Sequence, residues 1–398
     1  MDFPRTLLVS WQRPDGRYAG AEVLRKILRE LPRDKVRWAC LAVPMAGDAP
    51  ETPAHRAFPP RTLTWRLRNY TVNYWFMHNL QSNAVARKIA EWAAPFQPQI
   101  IWVLAEMGAV NVARHLGGRL GVPIHATVHD SYAFARFAVP QRYFPLYLHD
   151  VGRLMARVRS MDAVSAALLA DVLESLAPRS LAGTMVFPAS ISRSQMAASP
   201  AARARLSRRR KIGLCGSMRI DAGQWKGFLR LLGDLPFEFE IIAFTDLSAF
   251  SDEHAPANVT LVPQDYARTE EDVVRRFESE PVDACYLGIT QRQDQRMFAA
   301  RSLSSKLTTY AAAGCPIIVH GPAESAAWHL VDKYDAGVLC DDDGPRALAA
   351  LRHLLSDGEA RLRMAEGACR LCRAEFDLET NAARFRDLLA ETVLKSGG

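Results

Sequence analysis

Short apolar runs alternate with amphipathic helical patterns along the chain, and this alternation restricts the fold more than any other feature of the sequence. An apolar run of about five residues is typical of a strand that is buried on both faces. Repeated strand and helix units predict parallel sheets with helices on both faces. The chain has 398 residues, whereas one domain usually holds roughly 100–200, so two doubly wound α/β domains are predicted.

The apolar runs predict a series of strands in each half of the chain. In the first half the predicted strands are Thr6–Ser10, Val36–Val43, Gln99–Leu104, Ile124–Val128, Ala163–Ala166 and Thr184–Phe187. In the second half they are Ile212–Cys215, Phe239–Phe244, Val259–Val262, Asp283–Leu287, Pro316–Val319 and Gly337–Leu339. A helix is predicted over Gly20–Leu31, and another over Val110–Leu120 that stops at Gly121.

A segment rich in Ser, Ala and Arg separates the two series of strands. It runs from Ser190 to Lys211 and ends in four adjacent cations, Arg208 to Lys211. We interpret it as an interdomain linker with an exposed basic end, and contact with a phosphate is the alternative role of the cations. The predicted domains are residues 1–190 and 211–377, joined by a linker of residues 191–210.

Composition and charge restrict the class of protein. Apolar residues make up 49% of the chain and charged residues 23%, which is typical of a folded protein and excludes wholesale disorder. The net charge of +7 favours an anionic ligand, an anionic membrane surface or nucleic acid as a partner. No apolar stretch reaches the roughly 18 residues of a membrane span, since residues 100–105 are followed by Glu106. Without a secretory pattern at the start, a cytoplasmic location is expected.

The cysteines are expected to be reduced thiols. There are 7 of them, an odd number spread over a long chain, which argues against a disulfide framework. Cys369 and Cys372 form a CxxC motif, but no second pair completes a zinc site. We predict that both lie in the core face of a helix and that the protein binds no metal.

One segment of the second half, residues 301–319, carries the clearest ligand-binding signal. Ser304 or Ser305 can cap a helix that runs to Ala313, and Gly314 ends it before the next strand. The N-terminus of this helix suits a diphosphate, and Lys306 would add a positive charge. The alternative on local physics is a capped helix of an α/β domain with no ligand.

This segment also resembles a known family. Residues 305–319 read Ser-Lys-Leu-x-x-Tyr-x-Ala-Ala-Gly-x-Pro-Ile-Ile-Val, and His320-Gly321-Pro322 and Asp335-Ala336-Gly337-Val338 follow. These motifs resemble the donor-domain signature of family-4 GT-B glycosyltransferases. Residues 211–219 with 225–227, and the region from residue 347 to the last helix with Phe385, are similar to the family in the same order.

The resemblance implies a GT-B fold, in which two Rossmann-like domains face a cleft and a C-terminal helix, here residues 378–398, returns to the first domain. It implies a hexosyltransferase that moves a sugar from a nucleotide diphosphate sugar to a hydroxyl of a glycan or a lipid-linked acceptor. Retention of anomeric configuration and metal-independent activity are expected, with no cofactor. An inactive scaffold protein and a nucleotide-sugar epimerase are the alternatives.

The resemblance also implies roles for individual residues. His129, at a strand end, is expected near the donor sugar as the catalytic residue. The residues expected to contact the donor are Gly16, Gly20, Ser217, Arg219, Lys226, Gln264, Tyr266, Ser304, Ser305, Lys306, Thr309 and Glu324. Arg219 and Lys226 would neutralise the diphosphate, Gln264 and Tyr266 would contact the base, and Glu324 would contact sugar hydroxyls. Turn, capping and core roles are the alternatives for these positions.

Two positions depart from the family pattern. Retaining members usually have two acidic residues separated by seven others, the second of which holds the ribose. Arg301 and Thr309 occupy these positions here. Because threonine offers one hydrogen-bonding group where a carboxylate can bind two hydroxyls, this departure keeps the scaffold alternative open.

Two segments interleave aromatic and basic residues, residues 61–76 and 136–147. Their composition suits a lipid-linked acceptor at an anionic membrane, which would place the protein on the inner face of the cell membrane. Stacking of sugars or bases, or an ordinary core with a solvated face, are the alternatives. No nucleic-acid-binding motif accompanies the segments, so nucleic acid is not expected as a partner.

Overall fold

The computed structural model describes residues 2–12, 19–42, 53–59, 76–106, 108–130, 143–176, 181–197, 209–216, 222–244, 255–264, 269–342 and 344–397. The chain divides into two compact units. The first unit consists of Met1–Phe187 with Leu378–Gly398, and the second unit is Pro188–Asp377.

The first unit is built on a parallel sheet. Its strands are β1 (Thr6–Ser10), β2 (Val36–Cys40), β3 (Ala54–Ala57), β4 (Ile100–Leu104), β5 (Ile124–Val128), β6 (Val158–Ala163) and β7 (Gly183–Val186). The helices are α1 (Ala19–Arg29), α2 (Ser82–Ala93), α3 (Ala109–Leu120), α4 (Phe144–Met155), α5 (Ala166–Leu176) and the C-terminal α13 (Leu378–Ser396). A π-helical turn, Phe76–Gln81, precedes α2. The strand order is β3-β2-β1-β4-β5-β6-β7, so the order reverses between β1 and β4.

The second unit repeats this architecture. Its strands are β8 (Arg209–Cys215), β9 (Glu238–Phe244), β10 (Val259–Pro263), β11 (Ala284–Gly288), β12 (Ile317–His320) and β13 (Gly337–Cys340). The helices are α6 (Ala222–Gly233), α7 (Glu270–Ser279), α8 (Arg296–Arg301), α9 (Ser305–Ala312), α10 (Ala326–Lys333), α11 (Pro345–Ser356) and α12 (Gly358–Glu375). The parallel strands follow the order β10-β9-β8-β11-β12-β13, which reverses between β8 and β11. Both units are therefore doubly wound, as the alternating pattern predicted.

Most predicted strands are confirmed within a few residues, and one is wrong. The strand predicted at residues 163–166 lies earlier, at Val158–Ala163, and Ala166 begins α5. Its polar residues Ser160 and Asp162 are buried, so the strand does not read as an apolar run. The edge strand β3 was missed for a related reason, because its four residues, Ala-His-Arg-Ala, are largely exposed and form no apolar run.

The basic end of the predicted linker is part of the second sheet, which corrects its interpretation as an exposed connector. Arg209, Arg210 and Lys211 form the first residues of β8. Arg210 is buried, donates a hydrogen bond to the Leu355 carbonyl (2.8 Å) and lies over the Phe237 ring. At the other end, the Ile191 amide donates to the Phe376 carbonyl (2.8 Å), so this part of the segment also packs in the second unit.

The C-terminal helix α13 packs against β6 and β7 of the first unit, as the resemblance implied. Phe385 is fully buried between Trp102 and Phe187. Beside it the buried His125 ring contacts Ser160 Oγ (2.8 Å) and Asp162 Oδ1 (2.7 Å), and Thr392 Oγ1 of α13 lies 2.7 Å from the same serine hydroxyl. Buried polar groups and an aromatic cluster together hold this helix on the sheet.

A buried ion pair holds α12 to the sheet of the second unit. Arg361 is 0% exposed, and its NH1 atom donates to Asp283 Oδ1 over 2.6 Å. The second oxygen of Asp283 accepts a hydrogen bond from the Lys211 amide at 2.8 Å. One carboxylate therefore joins α12 to both β8 and the start of β11.

The cysteine predictions are confirmed where they concern packing. All 7 cysteines are free thiols and buried, and Cys369 and Cys372 lie on the inner face of α12. Burial raises the pKa of the Cys372 thiol to about 12, so it is protonated at neutral pH. Among the helices that the structure describes, none has both the length and the apolar character to cross a membrane.

Candidate functional site

The edge of the second sheet where its strand order reverses collects several of the predicted donor-binding residues. β8 and β11 are neighbours at this point, and in such sheets ligands bind beyond the carboxyl ends of the strands. Gly216 follows β8 with φ of 63°, a conformation that favours glycine. A Cβ atom on Gly216 would lie 3.3 Å from Lys306 Cε, so the lysine side chain passes directly over this glycine.

Helix α9 begins beside this glycine. Ser304 is its N-cap residue with extended backbone, but its side chain makes no capping hydrogen bond. The helix ends before Gly314, whose φ is 60°, as predicted. Tyr310 is buried in this helix, and its hydroxyl accepts a hydrogen bond from the Cys215 amide at 3.0 Å. Tyr310 thereby holds α9, which begins with Ser305 and Lys306, against the end of β8.

Gln224 closes the same edge from the other side. It is buried near the start of α6, and its Nε2 atom donates to the carbonyls of Ile289 (2.8 Å) and His320 (2.9 Å). Ile289 directly follows β11 and His320 is the last residue of β12, so the side-chain amide of Gln224 joins α6 to the ends of two strands. His320 is itself buried, with Nδ1 3.0 Å from the Tyr286 hydroxyl. Lys226, two residues further along α6 and therefore on the opposite side of the helix from Gln224, is exposed.

The other described donor residues are more dispersed. Gln264 directly follows β10, and its backbone N–H donates a hydrogen bond to the Ala243 carbonyl at 2.9 Å. Thr309 is only 2% exposed, and its hydroxyl lies 3.4 Å from the Ser305 carbonyl within α9. Glu324 forms an ion pair with Arg296, which lowers the pKa of this carboxyl.

Capping was one alternative role for Glu324, and the structure gives that role to the neighbouring residue. Ser325, not Glu324, caps α10, because its side chain accepts a hydrogen bond from the Trp328 amide. Four predicted donor residues, Gly16, Ser217, Arg219 and Tyr266, lie outside the described residues.

The corresponding edge of the first sheet holds a second polar cluster, after β1, β4 and β5. Gln12 Nε2, beyond β1, donates to Glu106 Oε1, beyond β4, at 2.9 Å. These strands flank the point where the strand order of the first sheet reverses. Two buried polar atoms here, Trp11 Nε1 and Gln12 Oε1, have no hydrogen-bond partner in the part of the chain that the structure describes. Buried polar atoms without a partner, beyond the carboxyl ends of strands where the strand order reverses, indicate a ligand site.

Glu106 and His129 are the titratable groups of this cluster with shifted pKa values. Burial, together with the charge of Asp130, raises the pKa of Glu106 to about 7, although the hydrogen bond from Gln12 opposes the shift. Burial lowers the pKa of His129, and the charges of Asp162 and Asp130 oppose that shift. At neutral pH the imidazole is therefore neutral, whereas the Glu106 carboxyl exchanges a proton near pH 7.

Gly20 belongs to the same edge, but the structure shows a packing role for it. It lies in the first turn of α1, and a Cβ atom there would come within 3.1 Å of Gln12 Nε2. The absence of a side chain lets the Gln12 amide pack against the helix and reach Glu106. A contact between Gly20 and donor phosphates stays a prediction.

Sequence reasoning placed His129 correctly at the end of β5 but missed Gln12, Glu106 and Gln224. A signal for Glu106 was present, because a charged residue directly follows an apolar strand at the edge where ligands bind. It was read only as the end of an apolar run. Gln12 and Gln224 lack a comparable local signal. Within the described ranges, no three His, Cys, Asp or Glu side chains come together as a metal site.

Comparisons with solved structures identify the fold. HepE from Anabaena, in complex with UDP, has 14% sequence identity and a TM-score of 0.67, over 97% of this chain and 99% of that chain. The chain has the GT-B fold. Sucrose-phosphate synthase from Thermosynechococcus elongatus has 13% identity and a TM-score of 0.70, over 99% and 100% of the two chains.

A third GT-B structure is similar along its whole length. The trehalose 6-phosphate synthase of Burkholderia multivorans has 15% identity and a TM-score of 0.61, over 100% of this chain and 98% of that chain. At the level of sequence, no family model and no curated protein matches this chain. These likenesses establish the fold, and the family-4 assignment stays a prediction.

Proposed function

We propose that this GT-B protein is a glycosyltransferase that moves a sugar from a nucleotide diphosphate sugar to a hydroxyl of a glycan or lipid-linked acceptor. The observation that carries the proposal is the meeting of Gly216, Lys306 and the N-terminus of α9 at the strand reversal of the second sheet. A glycine with positive φ, a cation and a helix N-terminus together suit a diphosphate. HepE, which has the same fold, was crystallised with UDP and with UDP-glucose, which supports a nucleotide-sugar donor.

In the proposed reaction the second unit stabilises the leaving nucleoside diphosphate. Negative charge grows on the diphosphate oxygens as the bond to the sugar breaks, and Lys306 and the α9 amides are placed to stabilise that charge. Lys226 would approach the same phosphates from the exposed side of α6. Thr309 and Glu324 would contact ribose and sugar hydroxyls. Retention of configuration is proposed on the resemblance of residues 305–319 alone.

The acceptor hydroxyl is assigned to the polar cluster of the first unit. Glu106, as a carboxylate, would accept a hydrogen bond from that hydroxyl and take its proton as the oxygen bonds to the anomeric carbon and the bond to the diphosphate breaks. The proposed retention requires that this attack come from the side of the sugar that the diphosphate leaves. The neutral His129 would donate a hydrogen bond to the donor sugar or accept one from it, as the resemblance implies, and Gln12 orients the Glu106 carboxyl. A lipid-linked acceptor would bring the protein to the inner face of the cell membrane as a peripheral protein.

A thermal-shift assay with a panel of nucleoside diphosphates tests the donor site. We expect at least one of them to raise the melting temperature, because it binds the folded state and not the unfolded state. Lys226→Ala is expected to weaken its binding about 10- to 150-fold, since a charge-assisted hydrogen bond contributes roughly 1.5–3 kcal/mol. Lys88→Ala, at an exposed position of α2, is the matched control.

The outcomes separate the enzyme from the scaffold alternative. Unchanged affinity in Lys226→Ala removes this lysine from the donor site. If no nucleotide stabilises the protein at concentrations far above plausible dissociation constants, the scaffold alternative is favoured. Arg301 and Thr309, at the usual acidic positions, are the residues that support this alternative.

Chelation tests the expected independence from divalent cations. Because cationic side chains and a helix N-terminus neutralise the diphosphate in the proposed site, glycosyl transfer is expected to persist at an unchanged rate in excess EDTA. The rate is measured with a donor that passes the thermal-shift test. Activity that disappears with EDTA and returns with Mn²⁺ contradicts this part of the proposal.

A further inference from the structure

Four arginine side chains surround His115 on the first unit, away from the residues discussed so far. Arg114 and Arg119 lie on α3, Arg153 lies on the last turn of α4, and Arg157 follows α4. Arg114 NH2 is 3.3 Å from His115 Nε2, and Arg157 NH1 donates to the Arg114 carbonyl at 3.1 Å. We refer to Arg119, Arg153 and Arg157, which are all exposed, as the arginine face.

Two guanidinium groups of the arginine face donate hydrogen bonds to uncharged acceptors. Arg119 donates to the side-chain oxygen of Asn83 (2.8 Å), and the acceptor for Arg157 is a backbone carbonyl. Arg114, which is buried behind the face, donates to the side-chain oxygens of Asn79 (2.5 Å) and Asn111 (3.3 Å).

Asp150 is the acidic residue that faces this cluster from α4. It is buried, and its Oδ2 atom accepts a hydrogen bond from Asn111 Nδ2 at 2.9 Å. Within the part of the chain that the structure describes, no carboxylate forms an ion pair with Arg119, Arg153 or Arg157.

The ionisation of His115 reports this accumulated charge. Its pKa is lowered to about 4, first by burial and then by the charges of Arg114, Arg119, Arg153 and Arg157. A histidine within reach of four guanidinium groups stays neutral at physiological pH. The field on this side of the unit therefore favours an anionic partner over a cationic one.

An exposed apolar side chain lies beside the arginines. Leu80 is 44% exposed and directly follows Asn79, the residue that Arg114 contacts. Within the described residues the exposed large apolar side chains are Leu80, Met297 and Leu394, and none of them is aromatic. A leucine among arginines suits lipid headgroups and the upper acyl region, whereas a surface for single-stranded nucleic acid would offer aromatic rings for stacking.

We propose that the arginine face docks the first unit on a membrane surface rich in anionic phospholipids. The arginines bind lipid phosphate groups, and Leu80 inserts at the boundary of the headgroups. This inference rests on the membrane part of the proposed function and is independent of sugar transfer. It places the contact on α3, on α4 and on Arg157 after α4. The aromatic and basic segments that the sequence suggested, residues 61–76 and 136–147, lie mostly outside the described residues, and their role stays a prediction.

Binding to lipid vesicles tests the proposal. The full-length protein is mixed with vesicles of phosphatidylglycerol and phosphatidylcholine, or of phosphatidylcholine alone, and the bound fraction is measured after sedimentation. Arg119→Gln, Arg153→Gln and Arg157→Gln, combined in one variant, are expected to lower partitioning onto the anionic vesicles roughly 100-fold. Each cation near such a surface contributes about fivefold. The matched control removes three other exposed arginines of the same unit, Arg33→Gln, Arg384→Gln and Arg386→Gln.

Each outcome supports or overturns the proposal. A selective loss of binding in the first variant, with the control unchanged, supports it. Equal losses in both variants overturn the arginine face but leave membrane association standing. Absence of wild-type binding to anionic vesicles overturns both. Binding to a single-stranded oligonucleotide is measured in parallel, and if the first variant loses only this binding and keeps its vesicle binding, the arginine face is assigned to nucleic acid. The nucleoside diphosphate thermal shift of each variant reports separately on folding and on the donor site.

Discussion

Glu106→Gln is expected to lower kcat for glycosyl transfer by about 10²–10⁴-fold, the usual contribution of a side chain that moves a proton in the transition state. Glutamine keeps the size of the side chain and can still pair with Gln12, so the loss is assigned to the carboxylate itself. Because the pKa of Glu106 is about 7, the wild-type rate is expected to rise as pH increases through 7. The variant should lack this rise.

Asp130→Asn provides the matched control for Glu106→Gln. The charge of Asp130 contributes to the raised pKa of Glu106, so removing it should move the midpoint of the wild-type pH profile to lower pH while most activity remains. An unchanged kcat and an unchanged pH profile in Glu106→Gln would exclude Glu106 from the reaction.

The stability of Glu106→Gln provides an independent readout of the same pKa. The folded protein holds the Glu106 proton up to about pH 7, whereas the unfolded chain releases it near the ordinary value of 4.5. The folded state therefore binds more protons between these values, and its stability falls as pH rises through this interval. The melting temperature of Glu106→Gln, measured by calorimetry, should increase relative to wild type between pH 4.5 and pH 7 and then level off.

Asp283→Ala is expected to lower the free energy of unfolding of the second unit by about 3–5 kcal/mol. The substitution removes a carboxylate that is paired with the fully buried Arg361, and it leaves the Lys211 amide without this side-chain acceptor. An uncompensated buried charge is far more costly than an absent ion pair. Urea denaturation should show a lower midpoint with an unchanged m-value.

The exposed ion pair of Arg292 and Asp294 is the matched control for this prediction. Its atoms are 3.0 Å apart, but both side chains are about half exposed. Asp294→Ala should therefore change the free energy of unfolding by less than about 1 kcal/mol. A combined Asp283→Leu and Arg361→Met variant should regain most of the loss, since neither member of the pair is left as a buried, unpaired charge. Equal effects of Asp283→Ala and Asp294→Ala would contradict our account of α12.

Local sequence pattern was sufficient for most of the secondary structure. Every residue of strands β1, β4, β5 and β12 is buried and most of these residues are apolar, so the positions of the strands follow from the sequence directly. The pattern failed where partners distant in sequence change what a residue can do. Strand β6 contains Ser160 and Asp162, whose hydrogen-bond partners are His125 and Thr127 of the neighbouring strand. The sequence around Ser160 and Asp162 does not indicate these partners.

The basic end of the predicted linker failed for the same reason. Arg210 reads as an exposed cation in the sequence, yet it is buried because the Leu355 carbonyl, 145 residues away, accepts its hydrogen bond and the Phe237 ring covers it. The sequence shows the charge of a residue but not the group that makes its burial possible.

The features of the candidate site also fall into those that the local sequence predicts and those that depend on distant partners. The helix of residues 305–312, its glycine stop, the position of His129 and the doubly wound class of both units follow from short-range pattern and resemblance. Which strands become neighbours depends on long-range pairing, and only the tertiary structure shows that the order reverses at β1 and β4 and at β8 and β11.

That pairing brings Gln12 to Glu106, 94 residues later in the chain, and sets the burial and the Asp130 charge that raise the pKa of Glu106. Similarly, it lays Lys306 over Gly216. The sequence by itself therefore determined the folding units and the types of residue at their edges. The tertiary structure decided which of these residues meet, because hydrogen bonding, desolvation and charge act between neighbours in space and not between neighbours in sequence.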